Sequence, residues 1–129
     1  MHTVSLCAHD DIMQSVKWLL KEFNRDLRIT SFRSLESMEN TFVSEEWDLL
    51  ILDSAATHDS LKNSLAEIKS QKPNLKIILI VPPVANKEEI IEIIRGKMVQ
   101  GLVIKPFTGE VISRYLEKIG FENGQSPLS

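Results

Sequence analysis

Hydrophobic positions recur along this chain at two alternating spacings. Thr3 to Ala8 is a short apolar stretch of strand length. Beyond it, Ile12, Val16, Leu19, Leu20 and Phe23 fall at helical spacing, which predicts a helix over Ile12 to Phe23. Asp10 and Asp11 stand just before it, where acidic side chains cap free amides and favour the positive end of the helix dipole. Leu27 to Phe32 reads as a second strand. Ser34-Leu35-Glu36-Ser37 reads as a helix start, with the helix running to about Ser44.

Leu49-Leu50-Ile51-Leu52, ended by Asp53, is a continuous apolar run of the kind that suits a strand buried on both faces. A helix with Leu61, Leu65 and Ile68 on one face is expected over Ser60 to Ser70. Ile77 to Val81 is another apolar strand, stopped by Pro82-Pro83. Lys87 to Met98 reads as a helix with Ile90, Ile91, Ile93 and Ile94 inward. Leu102-Val103-Ile104 is a fifth strand, ended by Lys105-Pro106, and Gly109 to Ile119 the last helix. Strands alternating with helices imply a parallel sheet covered on both faces, a doubly wound α/β sandwich of flavodoxin-like type.

Composition narrows the picture. The 129 residues suffice for one domain, expected over 1–120, with a polar tail over 121–129 that frays. The net charge is -3, with no basic run, so direct binding to nucleic acid or an anionic membrane is not expected. The start has no basic segment followed by an apolar run, and no apolar stretch approaches the roughly 20 residues that cross a bilayer. A cytoplasmic chain is expected. A single cysteine, Cys7, excludes an intrachain disulfide and reads as a small core residue. All five glycines lie after residue 95, so the early glycine-rich turn of a nucleotide-binding loop is absent.

In doubly wound sheets ligands bind beyond the carboxyl ends of the strands. Asp10 and Asp11 follow the first strand, Asp53 the third and Lys105 the fifth. Crowded carboxylates suit a hard divalent cation. A carboxylate beside it can act as nucleophile towards a phosphoryl group, with the lysine offsetting charge on the oxygens.

The order Asp-Asp, then Asp53, then Lys105-Pro106-Phe107-Thr108 resembles the receiver domain of two-component response regulators, over roughly Thr3 to Ile119. The resemblance implies that Asp53 accepts the phosphoryl group from a histidine kinase or phosphotransfer protein. It implies that Asp10, Asp11 and Asp53 hold Mg²⁺, that Lys105 contacts the phosphoryl group, and that the Lys105-Pro106 bond is cis. No conventional substrate turnover is expected. It also implies a meeting face on the fourth helix, fifth strand and fifth helix, for an output protein or a second copy, where Lys97, Arg114 and Lys118 are exposed charges. Trp18 reads as core edge.

The chain also departs from that family. It has Val81, Pro82 and Pro83 where a Thr or Ser hydroxyl stands at the end of strand four. Leu102 replaces the aromatic residue three positions before the lysine. Ser54-Ala55-Ala56-Thr57-His58-Asp59 replaces the usual loop after Asp53, and a shift of one residue would make the first pair His9-Asp10. These departures motivate an alternative, a pseudo-receiver that binds other proteins and does not signal through phosphorylation.

Overall fold

The computed structural model describes residues 2–41, 45–57 and 60–124. Five strands, β1 (Thr3–Cys7), β2 (Arg28–Phe32), β3 (Leu49–Asp53), β4 (Lys76–Val81) and β5 (Gly101–Ile104), form one parallel sheet in the order β2-β1-β3-β4-β5. The helices are α1 (Asp10–Phe23), α2 (Leu35–Glu39), α3 (Leu61–Gln71), α4 (Lys87–Arg95) and α5 (Gly109–Lys118). A 3₁₀ turn spans Ser54–Ala56.

The buried runs of the sequence explain this layering. Every residue of β3 is buried, as are all but the first of β4. Alternate residues serve opposite faces. Leu49 and Ile51 of β3 join Val16, Leu20, Ile112 and Leu116 of α1 and α5. Leu50 and Leu52 join Met38, Leu65, Ile68 and Ile93 of α2, α3 and α4. Each fully buried aliphatic side chain stabilises the fold by about 1.5–3 kcal/mol, which is why central strands tolerate almost no polar residue. Asp53 and Ser5 are the exceptions.

The expected elements are all present, with shifted ends. Helix α1 begins two residues early, so Asp10 and Asp11 form its first turn; His9 is the N-cap, without a side-chain capping bond. Helix α2 ends at Glu39, and Ser44 lies outside the described residues. Helix α4 stops at Arg95 rather than Met98. Lys97 takes a left-handed conformation (φ 53°), while Lys97 N–H and Met98 N–H donate to the Ile94 and Ile93 carbonyls. This paired closure ends the helix.

Only one of the four α4 isoleucines is fully inward. Ile93 is buried and Ile90 half-buried, but Ile91 and Ile94 are 46% and 51% exposed. Glu89 and Glu92 bond to Ser60 and Lys62 near α3, which turns Ile91 and Ile94 to the opposite side of the helix. Trp18 is likewise exposed at 63%, not a core-edge residue. The start of the tail is fastened: Phe121 is buried, and Gly124 N–H donates to the Phe23 carbonyl at 2.9 Å. Residues 125–129, His58 and Asp59 lie outside the described residues. No described helix is long and apolar enough to cross a membrane.

Candidate functional site

The order β2-β1-β3-β4-β5 reverses direction between β1 and β3, and the carboxyl ends of those strands open on the place where such sheets bind ligands. Asp53 is the last residue of β3. Its side chain has no exposed surface. On one side, β1 pairs Cys7 with Leu52, which brings Ala8 and His9 level with Asp53. On the other, Lys105 follows β5, its N–H donating to the Val81 carbonyl at 2.9 Å. From there its side chain reaches over the end of β4.

Lys105 Nζ lies 3.2 Å from Asp53 Oδ1 and 3.3 Å from Asp53 Oδ2. It also lies 3.3 Å from Asp11 Oδ2. The Lys105-Pro106 bond is cis, as expected. Two backbone amides complete the surroundings of Asp53: His9 N–H donates to Oδ2 at 3.2 Å and Ala55 N–H to Oδ1 at 3.1 Å. Both carboxylate oxygens are therefore engaged, each by the ammonium and by one amide. A buried carboxylate requires such partners, because a charge left unpaired away from water is costly.

The sequence reading puts Asp10 and Asp11 between the first strand and the first helix. In the structure that place is held by Ala8, which is buried, and His9, which is exposed. Asp11, one turn into α1, reaches Lys105, while Asp10 turns away and its Oδ1 lies 3.1 Å from Arg33 Nε. The structure thus brings together Asp11, Asp53 and Lys105 and leaves Asp10 apart.

Three partners escaped the sequence reading. The His9 and Ala55 donors are backbone groups, which leave no mark on residue identity. Arg33 directly follows β2, and the rule that strand-end residues face the site would have found it. Together with His9, Asp10, Asp11 and Ala55 it lines an open cleft of about 470 Å³.

Cys7 ends β1 and is buried, close enough to Asp53 to feel its charge. Burial, and then the charges of Asp53 and Glu39, push its thiol up from 9.0 to about 12. It is a neutral core group and not a nucleophile at neutral pH.

The resemblance implies Mg²⁺ at this pocket. Among the described residues, no three His, Cys, Asp or Glu side chains form a group that could hold a metal ion. The two carboxylates that converge, Asp11 and Asp53, already share an internal ammonium. With that ammonium lodged between them, the donor set does not fit a divalent cation.

No protein-family model matches the chain. No curated protein matches it. Solved structures do. A CheY-like response regulator receiver domain protein from Methanospirillum hungatei JF-1 superposes with a TM-score of 0.77 at 15% identity, over 92% of this chain and 94% of that one. A receiver domain protein from Clostridium thermocellum gives 0.74 at 18% identity, over 91% of each chain. The signal receiver domain of an HD domain-containing protein from Pseudomonas fluorescens Pf-5 gives 0.76 at 19%, again over 91% of each. At these identities the likeness is one of fold. The chain folds as a response regulator receiver domain does.

Proposed function

We propose that this chain is a receiver-fold binding module of a two-component circuit, acting through protein contacts and not through phosphate uptake. The state of Asp53 carries this reading. Attack on phosphorus needs a free lone pair and an open in-line approach. The Asp53 side chain is wholly buried, and both its oxygens accept hydrogen bonds.

Its neighbours support the same reading. Val81, Pro82 and Pro83 supply no side-chain hydroxyl at the end of β4. Leu102 is half-buried, and its carbonyl accepts the Tyr115 hydroxyl at 3.1 Å. That bond ties β5 to α5 where the family carries a mobile aromatic side chain.

The contact surface in this reading lies on α4, β5 and α5. Ile91, Ile94 and Ile104 are 46%, 51% and 54% exposed there, and Lys97, Arg114 and Lys118 are exposed charges. Exposed apolar side chains edged by charge are the composition of a protein-binding surface. An output protein or a second copy would meet it. We place the module in the cytoplasm with its circuit.

A second reading is favoured by the Asp53–Lys105 contact itself. In it, Asp53 takes a phosphoryl group from the phosphohistidine of a kinase or phosphotransfer protein. A carboxylate oxygen–phosphorus bond forms as the histidine nitrogen–phosphorus bond breaks, and Lys105 steadies a phosphoryl oxygen. Asp10, Asp11 and Asp53 are the Mg²⁺ ligands that the resemblance assigns. With Lys105 between Asp11 and Asp53, that set does not fit the ion.

Phosphate-affinity electrophoresis with a phosphorylated histidine phosphotransfer protein separates the two readings. The binding module runs as one unshifted band. A shifted band absent from Asp53→Asn establishes the second reading.

A further inference from the structure

We infer that Lys105 is the resident cation of this pocket and that its ammonium excludes Mg²⁺. This goes beyond the binding-module reading and does not depend on it.

Four observations converge. First, Lys105 Nζ is within 3.3 Å of both Asp11 and Asp53, and its side chain is only 19% exposed. The ammonium is lodged between the carboxylates that a divalent ion would have to join. Second, each Asp53 oxygen also accepts a backbone N–H, from His9 or Ala55. An ion would have to displace part of this set as well as Lys105. Third, the backbone places that flank Asp53 at the end of β1 belong to Ala8 and His9, so no further carboxylate is available there. Fourth, Asp10, the remaining acid, points away from Asp53 and pairs with Arg33 at 3.1 Å in a largely exposed contact.

Charge explains the preference. Mg²⁺ demands close octahedral oxygen ligands and gives up its water reluctantly. With Lys105 in place, the ion would meet an ammonium between its two ligands. With Lys105 expelled, a mostly buried ammonium would lose both of its carboxylate partners. A covalently attached cation also loses no translational freedom on taking up its place, which a free ion does.

The test is a Mg²⁺ titration of the whole chain, followed by amide nuclear magnetic resonance, with Mn²⁺ as a paramagnetic probe. Wild type is expected to show no saturable shift at the His9 and Ala55 amides and no Mn²⁺ broadening confined to them. Lys105→Met is expected to gain a saturable shift at those amides, which Asp53→Asn added to it abolishes. Saturable Mg²⁺ binding by wild type at these amides overturns the inference. So does a folded Lys105→Met that binds no better than wild type, because the ammonium would then not be what excludes the ion.

A second measurement needs no variant. The Lys105 ammonium resonance of wild type is expected to keep its shift in excess Mg²⁺, and its displacement overturns the inference. Phosphorylation of Asp53 without added metal would end the binding-module reading and leave this inference standing. Mg²⁺ binding without phosphorylation would do the reverse.

Discussion

Lys105 and Asp53 are 52 positions apart in sequence and 3.2 Å apart in space, joined across the end of β4. The contact is possible because β4 lies between β3 and β5 and ends at Val81, leaving a gap that a lysine side chain can cross. The pair is mostly shielded from water, so its two members depend on each other. Asp11 is the minor partner, since its side chain is 61% exposed and solvent screens it.

Removing the ammonium strands a buried charge. Lys105→Met is expected to cost about 3 kcal/mol in urea unfolding, the lower part of the range for breaking a buried pair. Asp53→Asn should cost less, because Lys105 keeps Asp11. The double variant should cost clearly less than the sum of the two. Additive costs would show that the pair is not coupled.

Cys7 gives the fold an alkaline weakness. Its thiol titrates at about 12 in the folded chain against 9.0 unperturbed. Between those values the unfolded chain has released the proton and the folded chain still holds it. Stability therefore falls as pH rises, by up to about 1.4 kcal/mol per pH unit from this group. Denaturant midpoints measured from pH 8 upwards should fall more steeply for wild type than for Cys7→Ala. Equal slopes would contradict the assignment.

Ser5 lies in the middle of β1, and its buried hydroxyl has no hydrogen-bond partner among the described groups. A buried hydroxyl without a partner costs free energy. Ser5→Ala is expected to raise stability by about 1 kcal/mol, read as a higher urea midpoint at constant slope.

The isoleucines of α4 divide by face. Ile93→Ala should cost about 2–5 kcal/mol, because it opens a cavity against β4. Ile91→Lys and Ile94→Lys should stay within about 0.5 kcal/mol of wild type. If α4 and β5 form the contact surface, these two lysine variants should lose self-association or partner binding while remaining folded. Analytical ultracentrifugation and calorimetry with the partner would read this. Unchanged binding would move the surface elsewhere.

The sheet was legible because its central strands are bare apolar runs of strand length: Leu49 to Leu52 is closed by Asp53 and Ile77 to Val81 by Pro82-Pro83. Asp53 and Lys105 were legible for the same reason, as charges that end such runs. The start of α1 was not. An aspartate just before a helix and one in its first turn answer to the same dipole, so Asp10 and Asp11 fit either place. That two-residue difference decides whether acids flank Asp53. The facing of α4 was also hidden. Four isoleucines in five positions spread over more than one face, and the bonds from Glu89 and Glu92 to α3 residues settle which face is covered.

The most direct test is intact mass after incubation with acetyl phosphate and Mg²⁺, with Asp53→Asn alongside. A structural carboxylate predicts an unchanged mass for both chains. A gain of one phosphoryl group on wild type, absent from Asp53→Asn, would contradict this account and make Asp53 an acceptor.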